Sequence, residues 1–254
     1  MISVHELTRR FGGVTAVDGV SLDIAAGRVT GLIGPNGAGK TTLFDCIAGT
    51  LRPDAGRVTL AGEDITGLPP HALFARGVLR TFQIAREFGS LTVRDNLRTV
   101  PAGQPGESLL SACLRPGRSA AREREITRRA DEVVEFLNLG GVADELAGNL
   151  SGGQKKLLEL GRTLMVEPRI VFLDEVGAGV NRTLLAEIGD AILRLNRERG
   201  LTFCLIEHDM GFVSRLCDEV VVLAEGRVLA RGAAGEVQRD ERVIEAYLGG
   251  GTPA

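Results

Sequence analysis

The stretch GPNGAGKTT at residues 34–42 sets glycines, a lysine and two threonines where a triphosphate could be held. It fits the pattern G-x-x-x-x-G-K-[ST]. Gly34, Gly37 and Gly39, with Pro35, Asn36 and Ala38 between them, let the backbone curl until successive amides point at phosphate oxygens. Lys40 brings charge to the β and γ phosphates, and the hydroxyl of Thr41, followed by Thr42, can ligate magnesium. Two further places carry reactive groups. IVFLD at 170–174 ends in Asp174 and is followed by Glu175; FCLIE at 203–207 ends in Glu207 and is followed by His208. Asp174 suits a hard cation, directly or through water. Glu175 could orient and deprotonate an attacking water, and His208 could hold that water or reach the γ-phosphate. Singly these are ordinary, since acids often close strands and His208 precedes Asp209, a helix-capping type. Together with a phosphate loop they point to nucleotide hydrolysis.

A second helix start has similar chemistry. LSGGQKKLLELGRTL at 150–164 turns apolar at helical spacing, with Leu157, Leu160, Gly161 and Leu164 on one face and Ser151 placed to cap. A bare, capped helix start with small residues is an anion site. One phosphate loop does not need it, so its presence asks for an explanation.

The elements that must position these groups follow from hydrophobic pattern. Runs at 29–34, 170–174, 203–207 and 220–224 are short and nearly continuous, as expected of parallel strands buried on both faces. Helical patterns lie between them, at 40–49 and at 181–196, where Leu184, Leu185, Ile188, Ala191, Ile192 and Leu195 share a side. In an open sheet of this type ligands sit beyond the carboxyl ends of the strands. The first 25 residues and 57–82 alternate more and predict a smaller antiparallel sheet. No strand is expected over 92–168. TVRDNLRTV reads as a short helix and 101–119 as a loop. Residues 119–138 read as an amphipathic helix through Ile126, Ala130, Val133, Val134 and Leu137, its Arg- and Glu-rich outer face solvated. The expectation is one domain over 1–254. Residues 1–83 and 169–254 form its α/β core with an antiparallel β subdomain, and 84–168 an inserted helical subdomain.

Composition narrows the classes. The chain has 254 residues and a formal charge of −3, with charges interspersed, which argues against a dedicated nucleic-acid partner. Its four cysteines form no CxxC pair, as expected of reduced thiols in the cytosol. No apolar run reaches the roughly 18 residues that span a bilayer, and MISVHELTRR is no signal segment.

These residues resemble, over nearly the whole chain, the ATP-binding subunit of ABC transporters. LSGGQ at 150–154 matches that family's signature, Gln83 in RTFQ its Q-loop, AGVN at 178–181 its D-loop and His208 its switch position. Phe11 stands where an aromatic stacks on adenine in the family, although a core-filling role fits the sequence nearly as well. The resemblance implies a RecA-like P-loop NTPase core, ATP and Mg2+, with Thr41, Gln83 and Asp174 toward the metal. It also implies head-to-tail pairing with a second ABC ATPase subunit, identical or not. Ser151, Gly152, Gly153 and Gln154 of one subunit then meet ATP held by the other, which accounts for the second helix start. Val176 departs from the family's proline, Asn181 from its D-loop aspartate, and QKK from its arginine-rich continuation.

The segments around RTFQ and the C-terminal VIEAYLGG are similar to the branched-chain amino acid uptake branch. Urea and amide importers, lipopolysaccharide-type exporters and non-transport ABC switch ATPases are the alternatives; no coiled-coil insert favours the last. An N-K-x-D guanine motif is absent. Transmembrane permease subunits and, indirectly, a solute-binding protein are the implied partners, at the cytoplasmic face of the membrane. By family topology, IAREFGSLTV (84–93, with Phe88 and Leu91) and 101–118 would receive a permease helix.

Overall fold

The apolar runs form the centre of a six-stranded sheet in which β3 (Val29–Ile33), β7 (Ile170–Asp174) and β8 (Thr202–Ile206) have every residue buried. The computed structural model describes residues 1–80, 87–101 and 116–249, with backbone alone at 116–119 and 249. It divides into a unit of Met1–Gln83 with Arg169–Ala254 and a unit of Ile84–Pro168.

In the first unit the large sheet runs β10-β9-β3-β8-β7-β6, with β6 at Val78–Arg80, β9 at Glu219–Ala224 and β10 at Arg227–Gly232. All neighbours are parallel except β9 and β10, which are joined by a two-residue turn at Glu225 and Gly226. Ile206 is level with both Leu32 and Asp174. The chain segments leaving β3, β7 and β8 therefore emerge at one edge. That common edge is what brings the candidate groups together.

A four-stranded antiparallel sheet, ordered β2-β1-β4-β5, is built from β1 (Ile2–Phe11), β2 (Val14–Ile24), β4 (Ala55–Leu60) and β5 (Glu63–Asp64). The expectation that 57–82 belongs wholly to this sheet is corrected. After α2 (Pro70–Phe74), β6 pairs in parallel with β7 in the large sheet. Val78 and Leu79 are both buried, so successive side chains on both faces are covered, as in a parallel strand and unlike an alternating one. The inner faces of both sheets contribute to one core with α1 (Lys40–Ile47): Ile2, Val4, Leu7, Leu43, Phe44, Ile47 and Phe172 are all within it. Phe44 meets Phe172 edge to face at 5.0 Å, which fixes α1, and hence Lys40, relative to β7. Helices α6 (Arg182–Arg199), α7 (Met210–Leu216), α8 (Ala234–Val237) and α9 (Glu241–Gly249) complete the unit.

The second unit is helical: α3 (Val93–Arg98), α4 (Pro116–Phe136) and α5 (Gly152–Leu164). Among its described residues β pairing is limited to an isolated bridge between Thr92 and Leu146. Residues 116–118 are helical where a loop was expected; proline is tolerated there because first-turn N–H groups lack helical acceptors. The rest of the expected loop, 102–115, lies outside the described residues. The predicted apolar stripe, Ile126 to Val134 of α4 with Leu137 just beyond its end, is buried. A side-chain carbon at Gly161 of α5 would stand 2.9 Å from Leu137, 3.0 Å from Val133 and 3.1 Å from Leu97. Glycine there lets three helices meet. Fully buried Asn96 ties down the preceding loop, accepting from the Phe88 amide at 2.8 Å and donating to the carbonyls of Phe88 and Thr92.

Candidate functional site

The loop between β3 and α1 curls because two of its glycines are pressed against other backbone. A Cβ at Gly34 (φ 148) would sit 2.1 Å from the Leu223 carbonyl oxygen, and one at Gly39 (φ 94) 2.1 Å from that of Ala16. No other residue fits either place. Gly39 caps α1 and delivers Lys40 as its first residue, so the positive end of the helix lies at the loop. The Lys40 ammonium donates to the carbonyls of Gly34 at 2.8 Å and Pro35 at 2.9 Å, which holds it at the mouth of the loop. Burial pulls its pKa below the ordinary lysine value, against the opposing charges of Glu175 and Asp174. Thr41 is exposed beside it.

Asp174 closes β7 almost wholly buried, at 2% exposure. Its Oδ2 accepts from Arg80 at 2.8 Å, and Arg80 also binds Asp45 of α1. Its Oδ1 is buried with no hydrogen-bond partner, a carboxylate oxygen left for a ligand. Glu175 follows at φ 49, a strained conformation for a non-glycine residue, while its amide extends the ladder to the Ile206 carbonyl at 3.0 Å. Its Oε1 lies 3.1 Å from His208 Nε2. Glu207, 4% exposed, accepts from the Gly177 amide at 2.8 Å and from the His208 amide at 3.3 Å. Burial raises its carboxyl above the ordinary range. Glu207 thus braces the turn after Glu175 and the start of the His208 segment. Asp209, not His208, caps α7, accepting from Phe212 at 2.9 Å. Arg80 and the bracing role of Glu207 were not visible in the sequence; an arginine ending a buried three-residue strand was the one available signal for the first.

Phe11 is 45% exposed at the end of β1, paired with Val14 across the hairpin, and the Arg9 guanidinium lies 4.8 Å over its ring. It is no core filler. Ala16, two residues past Val14, abuts Gly39, so this hairpin runs beside the phosphate loop. Asn181 caps α6, its Oδ1 accepting from the Leu184 amide at 2.9 Å. Gln83 lies outside the described residues.

In the helical unit, Ser151 and Gln154 form a reciprocal capping box at the start of α5: the Ser151 amide donates to Gln154 Oε1 at 2.9 Å, and the Gln154 amide to Ser151 Oγ at 3.4 Å. Ser151 and Gly152 are exposed, while Gly153 is buried. A side chain at Gly152 would meet nothing within 4 Å. Nothing among the described residues requires a glycine there.

The sequence model of the ABC transporter family matches residues 17–178, and that described as branched-chain amino acid ATP-binding cassette transporter matches 227–253. The high-affinity branched-chain amino acid transport ATP-binding protein BraF of Pseudomonas aeruginosa is 39% identical over 249 residues, covering 98% of each chain. The probable branched-chain amino acid transport ATP-binding protein LivG of Methanocaldococcus jannaschii is 38% identical over 253 residues, covering 98% of this chain and 97% of that one. The crystal structure of a nucleotide-free ATP-binding cassette from an ABC transporter superposes with a TM-score of 0.83 at 37% identity, covering 97% of this chain and 98% of that one. With a phosphate loop, a strand-end Asp–Glu pair and a facing histidine in place, the chain belongs to the ABC transporter family and is an ATP-binding cassette ATPase of its branched-chain amino acid branch.

Proposed function

We propose that this chain binds and hydrolyses ATP to power an ABC importer of branched-chain or other hydrophobic amino acids, acting through ATP-driven pairing with a second ATPase subunit. The observation that carries the hydrolytic part is the 3.1 Å Glu175–His208 pair on the same sheet edge as Lys40 and the unpartnered Asp174 oxygen. The relatives' names support the choice of solute.

In this reading the loop amides and Lys40 bind the β and γ phosphates, and Phe11 offers its exposed ring to adenine. Thr41 and Asp174 hold magnesium, joined by Gln83. The donor set fits: one hydroxyl and one buried, unsatisfied carboxylate oxygen suit a cation that keeps waters and phosphate oxygens as its other ligands. Bound there, a divalent cation would neutralise charge on the transferring phosphoryl group. Glu175 orients the attacking water and takes its proton, and His208 fixes the Glu175 carboxylate and faces the γ-phosphate. Ser151, Gly152, Gly153 and Gln154 present the positive helix end of α5 to the triphosphate bound by the partner subunit, and the unfilled space at Gly152 permits that approach. Asn181, at the D-loop position of the family, would also meet the partner subunit. Loss of the γ-phosphate then loosens the pair.

The whole chain works as one ATPase domain with 84–168 as its helical insert. The exposed Phe88, stacked by the Arg162 guanidinium at 5.2 Å, belongs to the surface that receives a permease helix. No helix among the described residues is long and apolar enough to cross a membrane, so attachment to the cytoplasmic face comes through the permease subunits. A solute-binding protein selects the amino acid on the other side.

Glu175→Gln tests the chemistry. Steady-state ATP hydrolysis should fall roughly 10²–10⁴-fold with ATP binding retained; an unchanged rate removes Glu175 from this role. Uptake of labelled leucine by the complex reconstituted with its permeases tests the solute, and ATP-dependent uptake of urea in its place would move the protein to the neighbouring branch.

A further inference from the structure

Arg80, the last residue of β6, grips the carboxylate that the proposed function gives to magnesium. Its Nη2 donates to Asp174 Oδ2 at 2.8 Å, and its Nη1 pairs with Oδ1 of Asp45 on α1. One guanidinium therefore spans two elements, β7 and α1, each of which delivers a candidate metal ligand. Asp45 stands one helical turn after Thr41, so the two share a face of α1. The Arg80 side chain is 17% exposed, that of Asp45 20% and that of Asp174 2%, so water competes little for these bonds. Among the described residues no other side chain bonds Asp174, and the oxygen that Arg80 leaves, Oδ1, is buried without a partner. The backbone beneath is fixed as well. Arg80 is level with Phe172, two residues before Asp174, and Phe172 meets Phe44 of α1. A planar fork with set N–H directions holds two carboxylates at a defined separation, which a lysine ammonium, a point charge, does not.

We propose that Arg80 is a positioning residue for the metal site: by holding Asp174 Oδ2 and Asp45 together, it leaves Asp174 Oδ1 as the oxygen presented to the cation and sets its spacing from Thr41. The inference rests on the proposed ATPase reading and deepens it, naming what orients the metal-binding carboxylate. Two effects oppose each other here. The guanidinium charge repels a nearby cation, so charge alone would weaken the site. Orientation works the other way, because a carboxylate free to turn must be ordered when the cation binds. Partners that orient ligating groups are worth roughly 10–100-fold in metal affinity, and orientation prevails. Neutralising two buried acids would account for a positive charge at this place, but not for a fork that reaches both elements.

Arg80→Lys keeps the charge and removes the fork; Arg80→Gln removes both. Manganese is the probe, its free fraction read by electron paramagnetic resonance with the protein in excess over a non-hydrolysable ATP analogue. Both variants should bind manganese roughly 10–100-fold more weakly than the parent, while affinity for the analogue without metal stays at the parent's value. Asp45→Asn leaves the Asp174 bond in place, should give a smaller loss, and carries the test if the Arg80 variants fail to fold. Parental manganese affinity in Arg80→Lys would make the arginine a neutralising charge and overturn the proposal, and parental affinity in Asp45→Asn would overturn it too. A parent protein that binds no analogue, or that holds manganese no better than the free analogue does, would instead remove the ATPase reading on which this inference rests.

Discussion

At the scale of single residues, the site gathers groups that burial or backbone strain disfavours. Asp174 keeps one oxygen free though nearly buried, Glu175 sits at positive φ, and burial pulls the Lys40 pKa below its ordinary value. Each costs folding free energy, and such costs collect where a ligand completes the arrangement. Glu207 shows the cost most directly. Burial raises its carboxyl, so it favours folding while protonated; that contribution is complete below the ordinary carboxylate range and is lost as pH rises through the raised value. As pH rises above the ordinary carboxylate range, thermal melts should show wild type losing stability relative to Glu207→Gln. A difference independent of pH would mean that Glu207 titrates as an ordinary surface acid. The sequence revealed that strand ends deliver acids, because buried runs ending in Asp or Glu are visible as such. It did not reveal that Glu207 faces its own neighbours' amides, since the turn at 175–177 meets it only through the sheet.

At the scale of elements, legibility followed periodicity. The strands beginning near 29, 170, 203 and 220 and the helices from 40 and 182 lie where hydrophobic spacing puts them. The strand at 78–80 was misassigned because three residues carry no period, and its partner β7 is some ninety residues away in the chain, roughly the separation that makes pairing invisible locally. The same limit hid Arg80, whose partner Asp174 is brought to it by the pairing of β6 with β7. In the helical unit the controlling feature is close approach at Gly161. Gly161→Val adds atoms where Leu137, Val133 and Leu97 already leave about 3 Å, and should cost about 2 kcal/mol by overpacking. Urea denaturation measures this, and a variant as stable as the parent would mean that the three helices can spread.

At the scale of the whole molecule, the proposed function gives one chain two helix starts that bind phosphate. The start of α1 is enclosed by its own loop and by β2; the start of α5 opens outward, with a glycine that nothing among the described residues requires. On the proposed function, a subunit built in this way offers half of a site to a neighbour, with ATP as the bond between the halves. Light scattering on the Glu175→Gln protein, with and without ATP and magnesium, alone and mixed with its second ATPase chain, measures that bond directly. ATP should raise the mass by one subunit, and adding Gly152→Asp should abolish the rise while ATP binding persists. Pairing that survives Gly152→Asp, or that never depends on ATP, would contradict the account.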